Sequence, residues 1–332
     1  MDARASPTLK HVAAKAGVSP MTASRAFHAP ATVARKTRDK VDAAAASLGY
    51  VPDRIAGALR AGQSNLVAAI VPSLANSLFA ATLQGLADGL REHGLVLALA
   101  ESRYDPLELD RLCREFLALR PRGLVLHDSP TEPQLRRLLR QAAIPIFEVG
   151  DLPGRDGPPP VGGAIGFSNR DAATALTRHL IDRGYRRIGL LTLSPLRSQR
   201  AARRIEGWRQ ALRSARLPHG SSLVVECEAG YAGGAAGLAK LLRQKPDAVI
   251  GGGDVLALGA LLEAGRRGIA VPGDLAFASF DAHEVGEAME PQLTTLALPR
   301  REIGLRAAAA IASGEMRAIM DLGFQLRPGR AD

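Results

Sequence analysis

Beyond residue 65, short apolar runs of strand length alternate with longer stretches of helical periodicity, and this alternation limits the folds open to the chain more than any other feature. The runs are Leu66–Val71, Leu95–Ala100, Gly123–His127, Ile144–Val149, Ile188–Leu193, Ala248–Gly251 and Leu275–Phe280. Between them lie helical stretches at Leu78–His93, Leu109–Leu119, Arg170–Arg183, Arg204–Arg213 and Val255–Arg267. Repeated strand–helix units predict an α/β body of parallel sheets covered on both faces. The Pro/Gly-rich stretch Leu152–Gly163 is read as the crossover between two such halves. A cleft between two α/β lobes, lined by the carboxyl ends of strands, is a standard small-molecule site.

Charge is distributed unevenly over the 332 residues. The chain carries a formal net charge of +10, and residues 1–64 hold 10 Lys/Arg against 4 Asp/Glu, whereas the remainder holds 33 against 29. A small basic unit on a near-neutral body points to a nucleic-acid-binding head. Hydrophobic residues at 46% and charged residues at 23% exclude a disordered chain. Cys113 and Cys227 stand far apart, which excludes a disulfide framework and a cysteine zinc site. Met1–Lys10 has no apolar signal-peptide core, and no apolar run approaches the ~20 residues of a membrane helix. A cytoplasmic protein without membrane contact is expected.

The first fifty residues read as three short helices. Leu9, Val12, Ala13 and Ala16 fall on one helical face, with Thr8 placed to cap its start and Gly17 to end it. Ser19 followed by Pro20 signals a second start, and Ala23, Ala26 and Phe27 form that helix's buried face. Its other face presents Met21, Thr22, Ser24 and Arg25. A third helix is predicted from about Thr37 to Leu48, with Val41, Ala45 and Leu48 inward and Gly49 as its stop. Two short helices joined by Gly-Val-Ser make a helix-turn-helix, whose second helix suits a major groove. Asp53–Arg60 reads as a two-turn helix with Ile55 and Leu59 at i, i+4, too short to be stable alone.

Thr8–Arg25 (TLKHVAAKAGVSPMTASR), TRDKV at Thr37–Val41, LGYVPDRIAGALRAGQSNLVAAIVP at Leu48–Pro72 and PQLTTL at Pro291–Leu296 closely resemble the LacI/GalR family of bacterial repressors. The resemblance runs along essentially the whole chain. It implies a head over 1–50, a hinge over 51–64 and a two-lobe body of periplasmic-binding-protein type over 65–332. Lobe 1 would comprise about 65–163 plus 297–325, and lobe 2 about 164–296. The helix around Arg301–Ser313 would cross back to the first lobe. Some positions depart from the family pattern: His11 for Asp, Ala23 for Val, His28 for Asn, and Ala34 for the usual Ser cap of the third helix. The lost cap should cost ~1 kcal/mol locally. These changes bear on which operator is read.

On the matching positions, Pro20, Met21 and Arg25 would face base edges, Arg25 having the chemistry for guanine N7/O6 and Met21 only apolar contact. Thr22, Ser24, Lys36, Thr37 and Arg38 suit phosphate oxygens, and Thr8 joins them by resemblance. Asp53, Ile55, Ala56 and Leu59 fall in the family's hinge helix, with Leu59 matching the leucine wedged into the minor groove. In the cleft, Arg204 matches the family's effector-binding arginine and Asp281 its ligand-binding aspartate. Leu78 and Phe79 would line the first lobe, His127 and Glu148 stand at strand ends, and Tyr231 matches a ligand-stacking position. Asp254 precedes a helix and reads better as its cap than as a ligand contact, while Arg200 and Arg203 read as solvated or phosphate-seeking. Gly253 replaces a usual Asn.

Catalytic signatures are missing: no P-loop lysine follows Gly251–Asp254, the glycines of 154–163 open no dinucleotide helix, and neither GxSxG nor HExxH occurs. No enzyme, metal or cofactor is expected. EVGDLP at Glu148–Pro153 with IGFSNRDAATALTRHL at Ile165–Leu180 resembles the gluconate-utilisation repressor subgroup. That implies a homodimer on a palindromic operator, answering to gluconate, its phosphate or 2-ketogluconate. A neutral sugar, sugar phosphate or purine, acting even as corepressor, is the alternative; a sugar-binding transport protein is the alternative of another class. LRPGRAD carries no leucine heptad for a tail-mediated tetramer.

Overall fold

The computed structural model describes residues 7–51, 64–74, 76–154, 158–196, 198–281 and 291–332. They divide into two compact units, Met1–Ser64 and Asn65–Asp332. The hinge residues Asp53, Ile55, Ala56 and Leu59 lie outside the described residues.

In the first unit, α1 (Leu9–Ala16), α2 (Pro20–His28) and α3 (Arg35–Leu48) enclose a core of small residues: Val12, Ala13, Ala23, Ala26, Val41, Ala44 and Ala45. Local chemistry sets the helix ends. Ser19 accepts the Thr22 amide at 3.0 Å ahead of Pro20. Gly17 and Gly49 end α1 and α3 in the left-handed conformation, at φ +67 and +62. His11, the departure from the family pattern, accepts the Thr8 amide through Nδ1 at 3.2 Å, so it does the reciprocal capping that an acidic or amide side chain usually performs. Ala34 starts α3 with no side-chain cap, as its sequence predicts.

The second unit holds two sheets. One runs β11-β5-β4-β3-β1-β2, and every pairing in it is parallel. Its strands are β1 (Leu66–Val71), β2 (Val96–Glu101), β3 (Gly123–Leu126), β4 (Ile146–Val149), β5 (Gly163–Gly166) and β11 (Ile319–Asp321). The other runs β12-β10-β9-β8-β6-β7, parallel except for the antiparallel β10/β12 pair. It comprises β6 (Ile188–Thr192), β7 (Val224–Glu226), β8 (Ala248–Gly251), β9 (Ala276–Phe280), β10 (Thr294–Ala297) and β12 (Gln325–Arg327). Helices α4 (Ala80–Glu92), α5 (Pro106–Ala118) and α6 (Pro133–Gln141) belong to the first lobe. Helices α7 (Asn169–Asp182), α8 (Gln199–Ser214), α9 (Tyr231–Leu241) and α10 (Asp254–Arg266) belong to the second. Strands buried on both faces, such as β6 and β9, are the continuous apolar runs that a parallel sheet needs.

Three details shift the expected boundaries. The stretch 152–163 does not leave the first sheet: it leads into β5, and the chain crosses over only after Gly166. Two glycines in a four-residue strand read as linker, yet a Cβ on Gly163 would sit 2.3 Å from the Phe147 ring, so glycine is required there. The chain crosses again before α11 (Arg300–Ser313) and once more between β11 and β12. Helix α11 does return to the first lobe, packed on α4. That approach depends on small residues, since a Cβ on Gly85 would stand 2.1 Å from the Arg301 carbonyl and one on Gly304 2.1 Å from that of Thr82. Their closeness fixes where the start of α11 enters the cleft.

Candidate functional site

The first unit presents α2 with its polar face outward. Met21 is 63% exposed and Arg25, Pro20 and Lys36 are exposed, while Thr22, Ser24, Thr37 and Arg38 are half-buried. Thr8 is exposed at the start of α1. The Thr22 hydroxyl lies 2.9 Å from the Ser19 hydroxyl, so it belongs to the helix cap as well as to the surface. Met21 lies in the first turn of α2 and Arg25 one turn further along, and an arginine beside an apolar side chain on an exposed second helix suits base edges.

In the second unit the strand ends of both sheets and the starts of α8 and α11 surround a cavity of about 330 Å³. Asn76, Leu78 and Tyr104 border it from the first lobe, Thr192, Gly252 and Asp281 from the second. Arg200 and Arg204 project from successive turns of α8, and Arg300 and Arg301 from the first turn of α11. Ser198 caps α8 by accepting the Ala201 amide at 3.3 Å.

Arg204 is 4% exposed. Its Nε donates to Asn169 Oδ1 at 2.8 Å, its Nη1 donates to the Gly252 carbonyl, and its guanidinium carbon lies 4.1 Å from the Phe280 ring centre. Burial without a carboxylate in contact among the described residues brings its pKa down to about 10. Asp281 is buried at the end of β9 and accepts from Arg300 Nε at 2.6 Å. Its backbone is left-handed at φ +71, as is that of Tyr104 at φ +57. Such strain costs about 1–3 kcal/mol per residue and persists only where the surroundings impose it. Burial raises the pKa of the Tyr104 hydroxyl, which bonds Asn76.

Arg200 and Arg203 correct their sequence reading, since neither is solvated. Arg200 pairs with Asp128 at 3.0 Å, and Arg203 with Asp151 and the Leu152 carbonyl. Both carboxylates follow first-lobe strands, so α8 ties the lobes together, and Arg300–Asp281 ties them from the other side. A helix in isolation shows its charges as solvent-facing; only the facing lobe supplies the partners.

The remaining candidates divide. Leu78 borders the cavity, whereas Phe79 lies beneath it, edge-on to His127 at 5.0 Å and under Arg200 at 5.2 Å. His127 is 3% exposed, and burial, with the charges of Arg200 and Arg300, holds its pKa well below the usual range. Glu148 does not border the cavity: its carboxylate accepts the Val161 amide at 2.8 Å, and burial raises its pKa. Tyr231 is 52% exposed at the start of α9, beside the lining residue Gly230, and does not itself line the cavity. Asp254 is the first residue of α10, and the cap position falls on Gly253; the Asp254 side chain lies outside the described residues. Asn76, Tyr104, Arg300 and Arg301 are lining residues that the sequence reading missed. Among the described residues there is no cluster of metal-ligating side chains and no helix long and apolar enough to cross a membrane.

An exposed reading helix and a two-lobe ligand cleft together define a ligand-responsive DNA-binding regulator. Residues 8–53 match the bacterial regulatory proteins of the lacI family, and residues 177–317 match the periplasmic binding protein-like domain. The HTH-type transcriptional regulator GntR of Pseudomonas aeruginosa is 39% identical over 96% of this chain and 94% of its own length. A LacI-family transcriptional regulator from Silicibacter pomeroyi superposes with a TM-score of 0.86 at 30% identity, covering 98% of this chain and 99% of that one. The lac repressor dimer bound to operator and an anti-inducer superposes with a TM-score of 0.82 at 25% identity, over 98% and 99% of the two chains. The chain belongs to the lacI family of bacterial regulatory proteins and is a DNA-binding transcriptional regulator.

Proposed function

We propose that this protein works in the cytoplasm as a homodimeric repressor. It would hold a palindromic operator through two heads and release it when a sugar acid of gluconate or ketogluconate type enters the cleft. The cleft's charge carries the reading: Arg200, Arg204, Arg300 and Arg301 border it, and Asp281 is the lining carboxylate among the described residues. Such a wall favours an anion bearing hydroxyl groups over a neutral sugar. The operator-bound dimer of the lac repressor supports the two-headed arrangement, because a two-fold dimer demands a two-fold site. Release follows from linkage: the acid must bind the lobe arrangement that DNA disfavours, and DNA then weakens the acid by the same factor. Catalysis has no role in this scheme.

Fluorescence anisotropy of a labelled operator, titrated with gluconate, 2-ketogluconate, glucose and a purine nucleoside, tests it. Release by an acid and not by glucose is expected. Release by a neutral sugar or purine alone, or tightening by any of them, replaces the reading with the corresponding inducer or corepressor. The hinge is part of the proposal: Leu59→Ala should weaken operator binding strongly and leave effector affinity intact.

A further inference from the structure

Arg200 and Arg204 both border the cleft, one turn apart on α8, but their guanidinium groups are committed differently. Arg204 is a strut within the second lobe, bonded through Nε to Asn169 and through Nη1 to the Gly252 carbonyl, with Phe280 against its face. Arg200 gives Nη2 to Asp128 and its face to Phe79, while its Nη1 is buried with no partner among the described residues. Neither ring nitrogen of the buried His127 has a described partner. The two residues converge on one spot. A Cβ on Gly150 would lie 3.8 Å from His127 Nδ1 and 4.0 Å from Arg200 Nη1, in ordinary contact with both, so the two nitrogens flank the position that a side chain would take there. Gly150 itself sits at φ +83, where a side chain is strained.

Buried polar groups seek partners, and a guanidinium N–H without an acceptor is among the costlier omissions. The neutral imidazole of His127 carries a proton on one nitrogen and can donate it. A carboxylate answers both, one oxygen to each donor. Asp281 also borders the cleft, and its Oδ2 is buried with no described partner, an acceptor suited to a hydroxyl. Arg200 borders the cavity, whereas His127 and Gly150 are not among its lining residues, so the acid would be the end of the ligand nearest Arg200.

Resting on the sugar-acid reading above, we propose that Arg200, backed by His127 across Gly150, takes the effector's carboxylate. Arg200, and not Arg204, is then the residue that selects an acid over a neutral polyol.

Isothermal titration of the full chain with gluconate and with sorbitol, which keeps the carbon chain and loses the acid, tests this, with glucose, 2-ketogluconate and 6-phosphogluconate titrated into the wild type alongside. Arg200→Gln should weaken gluconate about 10–100-fold, leave sorbitol unchanged and erase the preference between them. Asp128→Asn breaks the interlobe pair but keeps Arg200, and should hold gluconate within about threefold. Arg204→Gln should weaken both ligands together and lower the melting temperature. His127→Gln, the second variant should Arg200→Gln fail to fold, should weaken gluconate by a smaller factor with sorbitol unaffected. Retention of gluconate affinity by Arg200→Gln overturns the assignment, as do equal losses in Arg200→Gln and Asp128→Asn, which would make Arg200 a lobe tie alone. A wild-type chain that binds sorbitol or glucose but none of gluconate, 2-ketogluconate and 6-phosphogluconate removes the sugar-acid reading itself, a distinct result.

Discussion

Arg25 in the head and Arg204 in the body are both arginines on a helix near a functional surface, yet their settings are opposite. Arg25 stands exposed at the edge of a core built from alanine and valine. Arg204 is 4% exposed, bonded on two nitrogens and covered by an aromatic ring, in a body whose core includes Trp208, Phe147, Phe167, Phe277 and Phe280. The head keeps its cations outside because its ligand, DNA, is itself a surface of phosphates. The body turns Arg200, Arg203 and Arg300 inward and holds them with Asp128, Asp151 and Asp281, around a cavity instead of on an open face. A small domain with few large buried side chains is marginal in stability. The head can therefore afford only local devices such as the Ser19 cap, whereas the body can carry buried charge and left-handed backbone.

The contrast can be broken most severely at the body's core. Trp208 is fully buried and donates Nε1 to the Ile188 carbonyl at 3.3 Å; Trp208→Ala should cost about 3–5 kcal/mol in chemical denaturation followed by circular dichroism. A head substitution should leave that transition in place. Arg25→Ala should weaken the operator by about 1–3 kcal/mol and relax base preference at one position, read by competition with mutated half-sites; unchanged specificity would assign Arg25 to phosphate.

Acid should separate the units next. His127 has its folded pKa depressed by burial, so the unfolded chain binds its proton more readily. Its contribution to stability is present above the unfolded value near 6.5 and lost as pH falls below it, by about 1.4 kcal/mol per pH unit and proton. A melting series from pH 7.5 to 5.5 on wild type and His127→Gln should show this loss in the wild type alone. Buried Asp128, Glu148 and Asp151 have raised pKa values and act with the opposite sign, nearer the carboxylate range. Smaller still, Ala34→Ser should give α3 its missing cap and stabilise the head by ~1 kcal/mol. Lys36→Ala should lower the slope of log affinity against log salt by about 1 without changing base preference.

Most of the fold is legible in the sequence because periodicity is local. β1 and β8 coincide with their apolar runs, and α7 and α10 with their periodic stretches to within a residue. β5 and α9 were not legible for one reason: both are glycine-rich, and glycine reads as a breaker. In α9 it is a packing residue, for a Cβ on Gly234 would stand 2.2 Å from the Leu256 carbonyl of α10. The cleft was legible in part. Arg204, Asp281 and Leu78 came from the resemblance and do border it. Asn76, Tyr104 and Arg300 were missed because each borders the site through a turn or a helix start whose direction no periodicity encodes.

By itself the sequence determined the three helices of the head with their caps, the placement of charge at the reading end, the α/β class of the body and the family. All of these depend on neighbours within a few positions, or on patterns summed along the chain. Which arginines meet which carboxylates was decided only by the tertiary structure. Arg200 and Asp128 are 72 positions apart, Arg203 and Asp151 52, and the nitrogens of Arg200 and His127 that have no partner among the described residues come near each other only because two separate sheets bring their strand ends together. Long-range closure carries no local signal, and in this protein it is what gathers a row of helical arginines around one cavity.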